Sequence, residues 1–136
     1  MSGTEDFAPA PDGTRLFYEL SGEGPVVVLS DGIACDGFIW KYLRPALAAR
    51  FRVLHWHYRG HGRSGSPADP ARIGIDDHAR DLHAVLDHAK VEGAALLGHS
   101  MGTQVSLEAY RQHPARVRAL GLLCGSYGRI TRTFQD

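Results

Sequence analysis

The sequence predicts an α/β fold, in which a mostly parallel sheet carries helices on both faces. Val26–Leu29 and Ala94–Leu97 are apolar at consecutive positions, as is typical of strands buried on both faces of a parallel sheet. Segments with apolar residues at helical spacing alternate with these strands, and the alternation favours right-handed crossover connections. A chain of 136 residues has the length of one domain.

The first two predicted strands form a hairpin, because Asp12-Gly13 between them suits the positive φ of a tight turn. A helical pattern separates each of the remaining four strands from the next. The predicted strands are Glu5–Ala10, Arg15–Leu20, Val26–Leu29, Phe51–Trp56, Ala94–Leu97 and Val117–Cys124.

Three helices connect these strands. Pro45 suits the first turns of the first helix, where a backbone donor is not needed. Asp76 or Asp77 is predicted to cap the second helix, and Pro114 marks the end of the third. The predicted helices are Trp40–Arg50, Asp76 or Asp77 to about Ala89, and Met101–Gln112; residues 128–136 show neither pattern.

The composition is that of a globular protein, with 43% hydrophobic and 22% charged residues. Fifteen basic and fifteen acidic residues cancel, so no excess positive charge is available to attract nucleic acid or anionic lipid. The first seven residues lack the features of a signal peptide, and no apolar run has the length of a membrane span. We therefore expect a cytoplasmic protein without a nucleic-acid or membrane partner.

Cysteine and histidine give no sign of a disulfide framework or a metal site. Cys35 and Cys124 are too few for such a framework and are expected to be packed thiols. The eight histidines lack the spacing of metal ligands, so neither a metal nor another cofactor is predicted.

The loop at residues 59–65 contains the pattern Gly-x-Gly-x-x-Gly after a predicted strand. A dinucleotide fingerprint must open directly into a helix, whereas this loop leads into Ser-Pro-Ala-Asp-Pro. We therefore reject that reading and expect the loop to brace the sheet beside the turn at Ser100.

The segment 98–102, Gly-His-Ser-Met-Gly, lies between a predicted buried strand and a predicted helix. A nucleophilic hydroxyl at such a turn stands clear of the sheet, and small flanking residues relieve crowding around a strained backbone. We predict Ser100 as the catalytic nucleophile, with the backbone N–H of Met101 facing an oxyanion at the helix N-terminus. The alternative is a tight strand-to-helix turn with an inert serine.

A second backbone donor is expected from Ile33, because Gly32 follows the first long strand and lets the backbone turn toward a ligand. Taken alone, this segment would be an ordinary loop, but its place beside the predicted nucleophile favours a function. Asp31, Gly32 and His99 are predicted to line the substrate site. His99 is expected to pack and to point away from the nucleophile rather than to serve as its base.

These segments together resemble the α/β-hydrolase superfamily, over about residues 13–126. The resemblance rests on Ser30 to Ile33, on Trp40 with Pro45 and Leu47, on the Tyr-Arg-Gly-His-Gly-Arg-Ser segment 58–64 and on segment 98–102. It implies Ser100 as nucleophile and the N–H groups of Ile33 and Met101 as the oxyanion hole. Serine members of the superfamily are esterases, lipases, C–C bond hydrolases and perhydrolases. The serine argues against epoxide hydrolases and haloalkane dehalogenases, which normally use aspartate.

Two positions depart from the family pattern. Asp31 stands where relatives often have histidine, and His57 stands where aspartate is common. A carboxylate at position 31 would oppose the charge of an oxyanion unless it points away or is paired. Both departures bear on the substrate class more than on the fold.

In this superfamily the triad runs from serine to acid to histidine along the chain, and no acid lies between Cys124 and Asp136. Residues 1–136 are therefore expected to be a single, incomplete hydrolase core with strands one to six. The C-terminal strands, the cap, the triad acid and the triad histidine are expected outside this chain. That C-terminal part is the expected partner, since it would cover the apolar edge of the last strand.

The expected function is hydrolysis of a small-molecule ester or related acyl compound by Ser100. This chain alone is expected to be inactive, because an unassisted serine hydroxyl is a weak nucleophile. The alternative is a non-catalytic binding or receptor module of the same fold.

Overall fold

The computed structural model describes residues 3–126. Within them lie six strands: β1 Thr4–Pro9, β2 Arg15–Ser21, β3 Val26–Ser30, β4 Arg52–Trp56, β5 Ala94–His99 and β6 Val117–Leu123. The helices are α1 Leu43–Ala48, α2 Ile75–His88 and α3 Met101–Gln112, with single 3-10 turns at Phe38–Trp40 and Pro114–Arg116. The strands therefore follow the predicted order and type.

The strands form one sheet in the order β1-β2-β4-β3-β5-β6. β2 is antiparallel to both β1 and β4, whereas β3 lies parallel between β4 and β5, and β6 is parallel to β5. This topology confirms the predicted α/β fold. It places the carboxyl ends of β3 and β5 side by side, which is where ligands bind in open α/β sheets.

The central strand β3 is buried on both faces of the sheet, as its run of apolar residues predicted. On β3, Val28 packs into a core with α2 and α3, whereas Val27 and Leu29 pack with Trp40 and Ala48 on the α1 side. Burying a large apolar side chain contributes about 1.5–3 kcal/mol, so these two layers hold β3 rigidly at the centre of the sheet. Among the described helices, none combines the length and apolar composition that a bilayer crossing requires.

The first helix is shorter than predicted. Trp40 lies in a 3-10 turn, and α1 begins only at Leu43. The reason is a hydrogen bond from the Trp40 indole to the carboxylate of Asp31, 2.6 Å long, which ties this residue to the sheet. Pro45 lies in the first turn of α1, as expected of a residue without a backbone donor.

The second helix begins one residue before the predicted range. Gly74 is its N-cap, so the prediction of Asp76 or Asp77 at the cap is wrong. Both aspartates lie in the first turn instead, where a carboxylate interacts well with the helix dipole. Asp77 accepts a hydrogen bond from the Gly74 backbone N–H at 3.1 Å and so still closes this end of the helix.

The loop at residues 59–65 braces the sheet through Ser64. The Ser64 hydroxyl donates to the carbonyl of His57 at 2.7 Å and accepts from the backbone N–H of Phe17 at 2.9 Å. The loop thus joins β2 to the end of β4, so it braces the sheet as predicted. The prediction that it does so beside the Ser100 turn is wrong, because β3 separates β4 from β5.

Arg59, at the start of this loop, is a buried cation. Its guanidinium donates to both carboxylate oxygens of Asp81 on α2, at 2.6 and 2.7 Å. It also donates to Asp12 in the β1–β2 turn at 2.9 Å and to the carbonyl of Arg72 at 3.1 Å. One side chain therefore ties the hairpin, the loop and α2 together.

The outer strand β6 presents leucines to solvent. Leu120, Leu122 and Leu123 are 36%, 44% and 40% exposed, and β6 ends the strand order of the described residues. The expectation of packed thiols is wrong for Cys124, which directly follows this strand and is exposed, whereas Cys35 is half-buried. That something covers this edge stays a prediction.

Acid is expected to destabilise the fold through His78 of α2. Its ring is 2% exposed and lies 4.7 Å from the Tyr58 ring, and its Nδ1 has no hydrogen-bond partner among residues 3–126. Burial, helped by repulsion from His61 and Arg59, lowers the pKa of His78 from 6.5 to about 4. The unfolded chain therefore binds a proton that the folded chain refuses over this range, so stability falls as the pH falls through it.

His78→Gln is expected to flatten that loss between pH 6.5 and about 4, with each pKa unit corresponding to about 1.4 kcal/mol. Urea unfolding at stepped pH values measures it. His83→Gln is the comparison, because burial also lowers the pKa of His83 but its Nε2 bonds to the carbonyl of Ala109 at 3.0 Å. That variant should start from a lower stability at neutral pH. An unchanged acid dependence in His78→Gln would contradict the assignment.

Candidate active site

Ser100 lies on a sharp turn between β5, which ends at His99, and α3, which begins at Met101. Its backbone has φ 54 and ψ −115, a region that non-glycine residues rarely occupy. The turn is held from outside, since the Ser100 N–H donates to the carbonyl of Leu123 at 2.9 Å. The predicted strained strand-to-helix turn is therefore confirmed.

The glycines on either side of Ser100 are required by close backbone approach. A Cβ on Gly98 would collide with the carbonyl of Gly102, and a Cβ on Gly102 would collide with the carbonyl of Ser30. The second contact presses the first turn of α3 directly against the end of β3. The small residues of the Gly-x-Ser-x-Gly pattern thus follow from packing around the serine.

Gly32 brings the turn after β3 next to Ser100. A Cβ placed on Gly32 would lie 3.3 Å from the Cβ of Ser100, 3.3 Å from Nδ1 of His99 and 3.5 Å from Sγ of Cys35. The structure therefore gathers Gly32, His99 and Ser100 at the carboxyl ends of β3 and β5. Ile33, the next residue after Gly32, is 68% exposed.

His99 packs against this turn. Its Nδ1 is buried and has no hydrogen-bond partner among residues 3–126. A general base needs hydrogen-bond reach to the proton that it removes, and the described contacts include no bond between a histidine and the Ser100 hydroxyl. The packing role expected of His99 fits this arrangement, and its part in substrate binding stays a prediction.

The carboxylate of Asp31 is paired and directed into the protein. It is 2% exposed and accepts hydrogen bonds from the Trp40 indole at 2.6 Å and from Nε2 of His55 at 3.0 Å. Its backbone carbonyl accepts a third bond, from the Tyr58 hydroxyl, at 2.6 Å. The concern that a free carboxylate would oppose an oxyanion is thereby answered, because the carboxylate is bound by the protein's own donors.

Trp40 and Tyr58 belong to the segments that carry the family resemblance, but the pairing of His55 with Asp31 was not predicted from the sequence. His55 lies opposite Leu29 on β3 and opposite Glu19 on β2, so the sheet register brings an imidazole between two carboxylates. Glu19 in turn pairs with Arg44 of α1. A histidine at a position expected to be buried in a strand was the only sign in the sequence that His55 has charged partners. Those partners could not be identified, because Glu19 and Asp31 are 36 and 24 residues away along the chain.

The pKa values of two neighbouring histidines, His55 near the end of β4 and His57 just after it, are shifted in opposite directions. Hydrogen bonds with Asp31 and Glu19 outweigh the opposing effect of burial and raise the pKa of His55 above 6.5. Burial, with repulsion from His55, lowers the pKa of His57. The contacts agree, since Nδ1 of His57 accepts the backbone N–H of Arg63 at 2.9 Å and therefore carries no proton.

Metal-ligating side chains do not gather near this turn. Within residues 3–126 no three histidine, cysteine, aspartate or glutamate side chains are close enough to hold a metal ion. The region combines a strained serine with a buried ion-pair network.

Comparison with known proteins places the chain in a family. Residues 25–135 match the family model described as alpha/beta hydrolase fold. The chain is 38% identical over 123 residues to a protein of Azorhizobium caulinodans named as a candidate carbamate hydrolase, RutD, covering 88% of this chain and 46% of that protein. It is 41% identical over 111 residues to a pimeloyl-[acyl-carrier protein] methyl ester esterase of Methylococcus capsulatus, covering 82% and 41%.

The fold agrees with a solved structure as well. The enol-lactonase of Burkholderia xenovorans LB400 superposes with a TM-score of 0.77 and 31% identity, over 85% of this chain and 45% of that one. The chain spans less than half the length of these relatives. The match over residues 25–135 shows that the chain belongs to the α/β-hydrolase fold family, and the strand order and the strained turn at Ser100 agree with it.

Proposed function

We propose that this chain is the nucleophile-bearing part of a serine hydrolase that acts on a small-molecule ester or related acyl substrate. The observation that carries the proposal is the backbone of Ser100, held at φ 54 between β5 and α3. Such strain persists only where the surrounding structure imposes it, and it is concentrated at functional sites.

The proposed chemistry is acyl transfer through Ser100. The Ser100 hydroxyl oxygen attacks the substrate carbonyl carbon while its proton passes to the general base, and the C=O π bond breaks to leave an oxyanion. The oxyanion then collapses and expels the leaving group, which takes that proton. Water releases the acyl group from Ser100 by the same two steps, which completes the hydrolysis. The backbone N–H groups of Ile33 and Met101 are proposed to receive that oxyanion, helped by the N-terminal dipole of α3. The placement of Gly32 beside Ser100 supports this pairing.

The names of the relatives support the acyl class. The Methylococcus relative is named for a methyl ester, the Burkholderia neighbour for an enol-lactone and the Azorhizobium relative for a carbamate. All three compounds carry a carbonyl carbon bonded to a heteroatom. We extend that class, and none of the individual compounds, to this chain.

The general base and its acid are proposed to come from the C-terminal part of the same hydrolase, outside this chain. No histidine within residues 3–126 hydrogen bonds to the Ser100 hydroxyl, and the relatives are more than twice as long as their match to this chain. That C-terminal part and the acyl substrate are the partners that we propose, and the cytoplasm is the proposed location.

A fluorophosphonate probe tests the proposal, because it reacts only with a serine whose hydroxyl is activated. The full polypeptide that contains this chain is incubated with the probe and digested, and the labelled peptide is identified by mass spectrometry. The label is expected on Ser100. A label on another residue would refute the proposed nucleophile, and a folded protein with neither label nor ester turnover would favour a non-catalytic binding module.

The isolated 136-residue chain is expected to hydrolyse p-nitrophenyl acetate no faster than its own Ser100→Ala variant. Without a positioned histidine, the hydroxyl keeps the low reactivity of a free serine. Circular dichroism verifies that both chains are folded before the rates are compared. Turnover by the isolated chain that is lost in His99→Ala or His61→Ala would show that a base lies within it.

A further inference from the structure

His55 has a carboxylate on each side of its ring. Nε2 lies 3.0 and 3.1 Å from the two carboxylate oxygens of Asp31, and Nδ1 lies 3.3 Å from a carboxylate oxygen of Glu19. The residue is 3% exposed, and the loop after β3 closes over it. A Cβ on Gly37, which has φ +92, would lie 2.6 Å from Cε1 of His55, so only a glycine leaves room for the ring there.

The two contacts favour the protonated form of the His55 ring. A neutral imidazole has one N–H and one lone pair, so one carboxylate would face the lone pair. An imidazolium donates from both nitrogens and satisfies both carboxylates. When His55 is protonated, four side chains in a row alternate in charge and their net charge is zero: Arg44, Glu19, His55 and Asp31. When His55 is neutral, the row carries a net charge of −1.

We propose that His55, as an imidazolium, is a positioning residue for the oxyanion turn of the proposed hydrolase. It acts through Asp31, the residue immediately before Gly32 and Ile33. This inference rests on the proposed function of Ser100. It deepens that function by naming what holds the turn that is to receive the oxyanion.

Asp31 transmits the effect because it is fixed at several points. The Trp40 indole and His55 bind its carboxylate, and the Tyr58 hydroxyl binds its carbonyl. Loss of the His55 proton turns one of the two charge-assisted hydrogen bonds into a repulsive contact. Loss from Nε2 takes one of the two donors away from the Asp31 carboxylate, whereas loss from Nδ1 takes a donor from Glu19; in both cases the positive charge that balanced Asp31 is gone. Loss of the proton also leaves an unbalanced negative charge close to the carbonyl oxygen on which the transition state develops negative charge. Both consequences lower the rate.

The groups that face His55 define how its charge depends on pH. Asp31 at the end of β3 and Glu19 on β2 stabilise the cation, with Arg44 of α1 acting on Glu19. His57 lies 5.3 Å away, ring to ring, and its Nδ1 is unprotonated. Because the two carboxylates raise the pKa of His55, the cation persists to higher pH than in the unfolded chain and is lost as the pH rises through the folded value.

The variants that test this are Glu19→Gln and His55→Gln in the full polypeptide. The proposal implies that kcat falls at alkaline pH as His55 loses its proton. Glu19→Gln removes one of the carboxylates that stabilise the cation, so this decrease is expected to move to lower pH, while kcat below pH 6 stays near wild type. His55→Gln is expected to lower kcat by about 10- to 100-fold, less than the 10²- to 10³-fold of a lost oxyanion donor, with KM nearly unchanged. It should also abolish the alkaline decrease.

His88→Gln is the matched control, because His88 lies on α2 and bonds to Tyr18 instead of either carboxylate. It is expected to leave kcat and the pH profile unchanged. The direct readout is nitrogen-15 NMR of the histidine rings, in which both nitrogens of His55 should be protonated at pH 7 and only one of His57. This readout needs no activity.

The outcomes separate the two proposals. A neutral His55 ring at pH 7 overturns the positioning role whatever the activity. A protonated ring with wild-type kcat in His55→Gln, or with an unmoved profile in Glu19→Gln, overturns it as well. Absence of the fluorophosphonate label on Ser100 overturns the proposed function instead, and the NMR result then still reports the state of His55. If His55→Gln does not fold, Glu19→Gln and the NMR measurement decide.

Discussion

Ser100→Ala in the full polypeptide is expected to reduce kcat/KM for p-nitrophenyl esters by about 10⁴-fold or more, the scale on which nucleophile removal acts in serine hydrolases. The reason is that no other described hydroxyl lies at a strained turn at the carboxyl end of the sheet. Alanine keeps a side chain of similar size at φ 54, so the fold should survive. Steady-state hydrolysis of p-nitrophenyl acetate and butyrate measures the change.

Ser106→Ala is the matched control for this prediction. Ser106 lies on α3, the helix that begins directly after Ser100. It is fully buried, and its hydroxyl has no hydrogen-bond partner among residues 3–126. Its removal is therefore expected to leave kcat/KM within about twofold, since no bond to the active site is lost. Near wild-type turnover by Ser100→Ala would mean that another residue is the nucleophile.

Arg59→Met is expected to destabilise the fold by about 3–5 kcal/mol, the effect of leaving one partner of a buried ion pair uncompensated. The unpaired group is Asp81, which is fully buried and bound by two guanidinium N–H groups. Methionine retains much of the arginine stem, so the loss should come from the charge. Urea unfolding at pH 7 measures the free energy of unfolding.

Two further variants separate this effect from the loss of any arginine. Arg63→Met removes an exposed pair with Glu5, both side chains being 52% exposed, and is expected to change stability by at most about 1 kcal/mol. Burial raises the pKa of Asp81 against the effect of Arg59, so mild acid should restore part of the loss in Arg59→Met as Asp81 takes up a proton. Equal losses in the two arginine variants would contradict the ion-pair explanation.

The sequence predicted what depends on neighbours along the chain. The strands, the hairpin and the turn at Ser100 are local patterns, and all of them are found in the structure at or within a few residues of the expected positions. The beginning of α1 was not predicted, because a bond between Trp40 and Asp31 decides it. The cap of α2 was misplaced because two adjacent aspartates both suit a helix N-terminus.

What the sequence did not predict depends on sheet register. His55 meets Glu19 and Asp31 only because β4 lies between β2 and β3, an order that no local pattern encodes. The same holds for Arg59. Its partner Asp12 lies in the hairpin before it in the sequence, and its partner Asp81 lies in the helix after it. The sequence shows which strand and loop positions carry a charged residue, but it does not show which of these residues pair with each other.

The bonds around the end of β3 make the chain its own optical reporter. Its two tryptophans both donate their indole N–H to consecutive residues there, Trp40 to Asp31 at 2.6 Å and Trp56 to the Ser30 hydroxyl at 3.0 Å. Indole emission responds to the polarity and hydrogen bonding around the ring, and both rings are almost fully buried. Intrinsic fluorescence therefore monitors the segment that precedes Gly32 without any added dye. Trp56→Phe leaves Trp40 as the single emitter, whose spectrum follows the carboxylate of Asp31 during titration or inhibitor binding.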